Sequence, residues 1–295
     1  MRYAKEIKIG GGGFADVYKA VDWNAMKYVA VKELRDLFPE NYRRFRRERD
    51  MLTKYKDNPY VINILDSEVE YSEQPYIVLE YSPYGSLQKY VTSRRDWKRV
   101  GGWLCDVARG LEIVHDNGDV HRDIKPSNLI QCRYEREIIK LTDFGLAIRN
   151  DNSSGPMTCS PFGTEGYIDP VAKITGVLTT HSDIYSLGVT MRELLTGNRE
   201  KSFWTTLPGP QEFRSLIDSM TEMDVNKRPS ARRIYETVEW LLTRPEPQPL
   251  NIPWAEIITF GGIALAAVAA SANTYDEKAG RYRNSKGQYA SGWLG

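Results

Sequence analysis

His121-Arg122-Asp123-Ile124-Lys125-Pro126-Ser127-Asn128, followed by the apolar run Ile138-Ile139-Lys140-Leu141 and then Asp143-Phe144-Gly145, decides how this chain is read. The first stretch offers a carboxylate, a cation and an amide from one loop, and the second adds another carboxylate. Such a set suits holding a metal triphosphate beside a hydroxyl nucleophile, because phosphoryl transfer needs in-line positioning and neutralisation of phosphate charge. Asp123 is the group to receive the hydroxyl proton. Asn128 and Asp143 are hard oxygen ligands of the kind Mg²⁺ prefers, with phosphate and water completing the octahedron. Lys125, two residues after Asp123, can act on the transferring phosphate as a point charge.

The N-terminal end supplies a second half. Ile9-Gly10-Gly11-Gly12-Gly13-Phe14-Ala15-Asp16-Val17-Tyr18 reads as a glycine-rich turn between two strands, where missing side chains let backbone amides approach phosphate. By itself it reads equally well as a flexible hairpin. Its context favours the first reading. Val29-Ala30-Val31-Lys32 follows as a short alternating strand, and a helix is expected from about Tyr42 to Tyr55, with Phe45, Glu48 and Leu52 on one face.

With both loops and this N-terminal half in order, the chain resembles the eukaryotic-type (Hanks-type) serine/threonine protein kinase family over roughly residues 3 to 243, whose members include bacterial and phage proteins. The resemblance implies an α+β bilobal fold with a small β-rich N-lobe carrying one key helix and a larger helical C-lobe. It implies ATP with Mg²⁺, for which Mn²⁺ can substitute, in the cleft between them. Lys32 would hold the α and β phosphates, and Glu48 would pair with Lys32 rather than remain one more solvated charge among the arginines of its helix. Ile9, Gly10 to Gly13, Phe14, Val17, Ala30 and Leu129 would surround the nucleotide. Tyr76-Ile77-Val78-Leu79-Glu80-Tyr81 resembles the strand entering the hinge, with Leu79 as gatekeeper and Glu80 to Ser82 presenting backbone groups to adenine. Lys125 together with Gly163-Thr164 resembles the serine/threonine branch, and Thr164 is expected to pack against Asp123 and Lys125. Asp183, in Ser182-Asp183-Ile184-Tyr185, resembles the residue that accepts from the backbone of the catalytic loop; as a plain sequence it also reads as a helix N-cap.

Two positions depart from the family pattern. Ala15 stands where a third glycine is usual, adding a methyl group where no positive φ is needed. Asp169-Pro170-Val171 replaces Ala-Pro-Glu, so Arg228 loses its usual carboxylate; Asp169, Glu165 or solvent is expected to take its place. Between Asp143 and Pro170 the chain carries several hydroxyls, and autophosphorylation is expected on Thr158 or Ser160 with Arg122 receiving the phosphate; a solvated polar loop is the alternative.

A chain of 295 residues with 41% hydrophobic content supports two lobes and a tail. The net charge of +1 excludes bulk nucleic-acid binding as an expectation. Arg43 to Arg49 is locally basic, which reads first as a solvated helix face and second as a dock for an acidic partner. Cys105, Cys132 and Cys159 suggest neither a disulfide framework nor a zinc site, in keeping with a reducing cytosol. The expected organisation is an N-lobe over 1–81, a C-lobe over 82–243, a proline-rich linker over 244–253, a hydrophobic segment over 254–275 and a polar tail without structure over 276–295. Within the hydrophobic segment, 257–272 is nearly all apolar and is flanked by Trp254 and Tyr275, so it reads as a candidate membrane anchor on a cytoplasmic catalytic domain, or else as a docking helix. Protein Ser/Thr substrates are the expected partners. Two rivals are a pseudokinase scaffold and a small-molecule kinase; the first is opposed by the complete set Lys32, Glu48, Asp123, Asn128 and Asp143, and the second by Gly163-Thr164 and Tyr167 to Pro170.

Overall fold

The computed structural model describes residues 2–70, 72–133, 136–147, 163–200, 206–245, 274–276 and 281–283. The chain divides into two compact units, Met1–Arg244 and Pro245–Gly295.

The first unit opens with a five-stranded antiparallel sheet in the order β1-β2-β3-β5-β4. Its strands are β1 (Tyr3–Gly11), β2 (Ala15–Asp22), β3 (Lys27–Leu34), β4 (Ile64–Glu68) and β5 (Tyr76–Glu80). Directly opposed residues share a face, and alternate residues along a strand return to it. Val17 opposes Lys32, Lys32 opposes Ile77, and Ala30 opposes Leu79. One face therefore carries Val17, Ala30, Lys32, Ile77 and Leu79. The other face buries Ala20, Val29, Val31 and Val78 with Tyr3 in a small core of its own.

Helix α1 (Pro39–Lys54) packs on the first of these faces, burying Phe45, Glu48, Met51 and Leu52. It begins three residues before the expected start at Tyr42. Pro39 explains the difference, since proline suits the first helical position, where its missing N–H has no helical partner to lose. Its arginines are largely paired: Arg44 with Glu40, Arg46 with Glu70, and Arg49 with Asp50 and Glu70.

The helical part contains α2 (Trp97–Asp116), α3 (Pro170–Thr175), α4 (Thr180–Thr196), α5 (Gln211–Met220) and α6 (Ala231–Thr243), with the hairpin β6 (Leu129–Arg133) and β7 (Glu137–Leu141). Helix α2 buries eleven of its residues, and α6 packs along it through Ala231, Ile234, Val238 and Leu241. Helix α4 is opened by a capping box between Thr179 and Ser182 and closed by Gly197 in the left-handed conformation, φ +77°. Thr179, not Ser182 or Asp183, is thus the N-cap, which frees Asp183 for another task.

Arg228 finds its carboxylate. Its guanidinium meets Asp169 in a two-pronged pair, Nη1 to Oδ2 at 2.6 Å and Nη2 to Oδ1 at 2.9 Å, while Nε donates to the Glu222 carbonyl at 2.8 Å. Both side chains are almost wholly buried. Glu165 is 84% exposed and pairs with Lys173 instead. Asp169 thus substitutes for the missing acid at Val171 from two residues earlier.

The second unit is described only at β8 (Thr274–Asp276) and β9 (Arg281–Arg283), which pair antiparallel with Asp276 opposite Arg281 and Tyr275 opposite Tyr282. Residues 281–283, in the tail expected without structure, therefore form a strand; opposed aromatic and opposite-charge pairs favour such a ladder. The candidate anchor at 257–272 lies outside the described residues, as does Cys159. Among the described residues no helix is long and apolar enough to cross a membrane.

Removing one partner of a buried ion pair leaves the other uncompensated, at a cost of about 3–5 kcal/mol. Asp169→Ala should therefore lower the unfolding free energy of the first unit by roughly that amount, while Glu165→Ala stays within about 0.5 kcal/mol of wild type in urea titrations.

Candidate active site

The β6–β7 hairpin assembles one side of the site by register alone. Leu129 opposes Leu141, so the residues just outside the pair, Asn128 and Thr142, lie side by side, and the Thr142 amide donates to the Asn128 carbonyl at 3.1 Å. Asp143 follows immediately. Its backbone is left-handed, φ +65° and ψ +63°, which ends the strand there.

Lys32 reaches across from β3. Its ammonium donates to both Glu48 oxygens at 2.7 and 2.6 Å and to Asp143 Oδ1 at 3.3 Å. Burial alone would lower the pKa of Lys32, but the Asp143 and Glu48 carboxylates outweigh it and hold the ammonium above its ordinary value. Burial pushes Glu48 up to about 7 against the opposing pull of Lys32, with the like charge of Asp143 adding to burial. Asp143 moves the other way: its burial is outweighed by Lys32, and it sits below the ordinary carboxylate value. Three elements thus meet on one cation.

Asp123 is the centre of a second cluster. Its Oδ2 accepts from Lys125 Nζ at 2.7 Å and from Asn128 Nδ2 at 2.9 Å. Thr164 donates its hydroxyl to Oδ1 at 2.9 Å and accepts from Lys125 at 2.6 Å. The Asn128 amide also donates to the Asp123 carbonyl at 2.8 Å, which fixes its nitrogen on Asp123 and leaves Oδ1 as the oxygen it can present. Asn128 and Asp143 together make a donor set of hard oxygens, one amide and one low-pKa carboxylate, and such a set fits Mg²⁺.

The loop carrying Asp123 is anchored by Asp183, which has no exposed surface. Asp183 accepts from the His121 and Arg122 amides at 2.8 Å each and meets His115 Nε2 at 2.9 Å. Arg122 is held at φ +74°, a strained conformation for a side-chain-bearing residue. Such strain costs of order 1–3 kcal/mol, and two hydrogen bonds to a buried carboxylate, at about 1.5–3 kcal/mol each, are enough to hold it. His121 completes the anchor: its Nδ1 accepts the Asp123 amide at 3.3 Å, so its hydrogen is on Nε2, which donates to the Thr142 carbonyl at 3.1 Å. One ring bridges both loops. Gly163 lies beside this backbone at φ +140°, where an added Cβ would come within 2.9 Å of Ile168.

At the nucleotide side, Ala30, Leu79 and Leu129 are buried in one core, with Val17 and Phe14 packed against it. The Phe14 ring lies 5.7 Å from the Lys32 ammonium. Gly10 and Gly11 continue β1, and Gly12 donates its amide to the Ala15 carbonyl, so Ala15 sits in a regular strand start. A Cβ at Gly12 or Gly13 would meet nothing within 4 Å. Ile9 is exposed. In the hinge, the Glu80 amide donates to the Asn63 carbonyl, and the Glu80 carboxylate is held by Lys140 at 2.6 Å and by the Asn63 amide at 2.8 Å. Ser82 donates its hydroxyl to the Gln131 carbonyl at 2.5 Å. Thr158 and Ser160 lie outside the described residues.

Sequence reading missed His115, His121 and Lys140. For His121 the signal was its place immediately before Arg122-Asp123; for His115 and Lys140 the partners are 68 and 60 residues away, and no local spacing reveals them.

A protein kinase domain profile matches residues 3–207. PrkC, a serine/threonine-protein kinase of Bacillus subtilis, is 37% identical over 201 residues, covering 66% of this chain and 30% of its own. Cytokinesis protein sepH of Emericella nidulans is 34% identical over 229 residues, 76% of this chain and 16% of its own. A G-type lectin S-receptor-like serine/threonine-protein kinase of Arabidopsis thaliana is 33% identical over 212 residues, 68% of this chain and 24% of its own. The chain thus spans less than a third of the length of each of these curated relatives. It belongs to the protein kinase family, whose members use ATP and a divalent metal ion.

Because the folded-state pKa of Asp183 is depressed below the unfolded value of 3.8, chiefly by His115 against the effect of burial, its contribution to stability is present above pH 3.8 and is lost as pH falls through the folded value. Asp183→Asn should cost about 2–3 kcal/mol at pH 7. In denaturant titrations the gap between wild type and variant should narrow only below pH 3.8.

Proposed function

We propose that this chain transfers the γ-phosphate of ATP to serine or threonine hydroxyls of protein substrates. The observation that carries the reading is the double cluster: Asp123 gripped by Lys125, Asn128 and Thr164, facing a Lys32 already held by Glu48 and Asp143. Lys32 supplies a charge fixed in place for the α and β phosphates, so no reorganisation is needed when nucleotide arrives. Asn128 and Asp143 would hold Mg²⁺, which when bound neutralises phosphate oxygens. Neither packing nor positive φ demands glycine at positions 12 and 13, and close approach of phosphate to their amides is the role that remains.

Asp123 takes the proton of the incoming hydroxyl. Thr164 and Lys125 orient its two oxygens, and the Lys125 ammonium, 2.7 Å from the carboxylate, meets negative charge developing on a phosphate delivered there. Leu79 is the gatekeeper beside the adenine, Leu129 lines its pocket, and the hinge backbone from Glu80 to Ser82 supplies its hydrogen bonds. Autophosphorylation at Thr158 or Ser160, with Arg122 as receiver of the phosphate, is part of the same reading. Attachment to a membrane through 254–275 is supported by the apolar run 257–272 and its aromatic flanks, Trp254 and Tyr275.

Removing a positioned general base costs about 10²–10⁴-fold in rate. Asp123→Asn should lose ATP turnover by at least that factor, and phosphate mapping should find Thr158 or Ser160 modified in wild type and both bare in the variant. Phosphate persisting in the variant would exclude self-modification. Equal turnover in both proteins would leave a binding scaffold as the better description, and turnover on small alcohols but not on peptides would move the substrate class.

A further inference from the structure

One buried carboxylate has no part in the chemistry above. Asp119 lies in the short turn between α2 and His121 and has no exposed surface. Its Oδ2 accepts from the Tyr55 hydroxyl at 2.6 Å and pairs with the Lys54 ammonium at 2.6 Å. Both donors belong to the C-terminal end of α1, of which Lys54 is the last residue and Tyr55 the cap. The Asp119 amide donates to the Val114 carbonyl at 3.1 Å, so the acceptor is itself fixed on the end of α2.

The contacts close into a ring. The Tyr55 side chain lies 6.1 Å from Phe144, Phe144 lies 4.5 Å from His121, and His121 is two residues beyond Asp119. We infer that Asp119 is a positioning residue: with Tyr55 and Lys54 it forms a polar joint that fixes the end of α1 on the chain entering the catalytic loop, and so sets the reach of Glu48 to Lys32.

The geometry of a helix gives the reason. Glu48 precedes Tyr55 by seven residues, a lever of about 10 Å at 1.5 Å per residue. Tilting α1 by roughly 10° about its end moves Glu48 by about 2 Å on that lever, enough to break both bonds to Lys32. Apolar burial opposes such a tilt but is non-directional and singles out no one angle for the helix. A buried carboxylate does, since losing its donors leaves a charge without compensation. The joint is therefore directional where packing alone is not.

Tyr55→Phe removes the hydroxyl and keeps the ring against Phe144. Hydrogen exchange followed by mass spectrometry on the full chain should show α1 amides exchanging about fivefold or more faster in Tyr55→Phe and Asp119→Asn, with α2 and α4 at wild-type rates. Wild-type protection of α1, or acceleration shared equally by α2 and α4, would overturn the proposal. This arm needs no turnover, so it decides the joint even where the kinase reading fails. The activity arm rests on that reading: Tyr55→Phe should raise the KM for ATP several-fold in the wild-type background and add nothing in a Glu48→Gln background, as coupled sites do. Losses that multiply in the double variant would show that Tyr55 does not act through Glu48, and would equally overturn it.

Discussion

The ammonium of Lys32 is the point on which the arrangement of this domain depends. A cation buried on the inner face of a sheet needs compensating charge within a few ångströms, and here it has two carboxylates from two other places in the chain, Glu48 on α1 and Asp143 after β7. Satisfying one charge thus sets the position of a helix against a sheet and of a loop from the helical part against both. Burial, with the like charge of Asp143 adding to it, raises the pKa of Glu48 against the pull of Lys32, while at Asp143 Lys32 outweighs burial and depresses it. On the proposed reading, the Asp143 carboxylate and the fixed Asn128 amide oxygen are the two groups that would receive Mg²⁺.

Helix α4 plays the corresponding part beneath the catalytic loop. Asp183 spends its buried carboxylate on two backbone amides and a histidine rather than on a side-chain cation. Backbone amides cannot swing away as a lysine can, so the loop is held in one conformation, including the left-handed φ at Arg122. Arg122, with its strained φ, follows His121 directly, and Asp143, with a similar φ, follows Thr142, whose carbonyl the His121 ring bonds, so one ring holds both loops. On the proposed reading, these fixed contacts lie where proton and phosphate would be aligned, in keeping with chemistry that depends on positioning more than on covalent participation.

How much of this could be read beforehand follows from how local each interaction is. The catalytic loop and Asp143 were legible because their functional groups lie within a few residues of each other and the intervening hairpin is an alternating, apolar one. Glu48 was legible through the face it shares with Phe45 and Leu52. The start of α1 was misplaced because apolar periodicity begins at Tyr42, whereas Pro39 begins the backbone helix without contributing to that pattern. The partner of Arg228 stayed open between Asp169, Glu165 and solvent because 59 residues separate the acid from the base, and only the packed structure brings Asp169 under Arg228 while leaving Glu165 in water. In the hinge, the Glu80 amide pairs with the Asn63 carbonyl across the sheet, a pairing that the sequence of β5 alone does not encode.

The same distinction explains why polar groups recur in the core. Arg228 with Asp169, Lys140 with Glu80, and Asp119 with Lys54 and Tyr55 each join segments at least 59 residues apart. As contributions to stability such pairs are poor value, since apolar residues of equal volume often do as well or better. What they add is direction. Apolar burial between two packed layers is non-directional, whereas a charged hydrogen bond buried between them tolerates only a few tenths of an ångström and a narrow range of angles. Placed between α1 and the catalytic loop, between the hinge and β7, and between α3 and the turn before α6, these pairs fix the relative positions on which Lys32 and Asp123 depend. The stability they forgo is exchanged for a single geometry at the site.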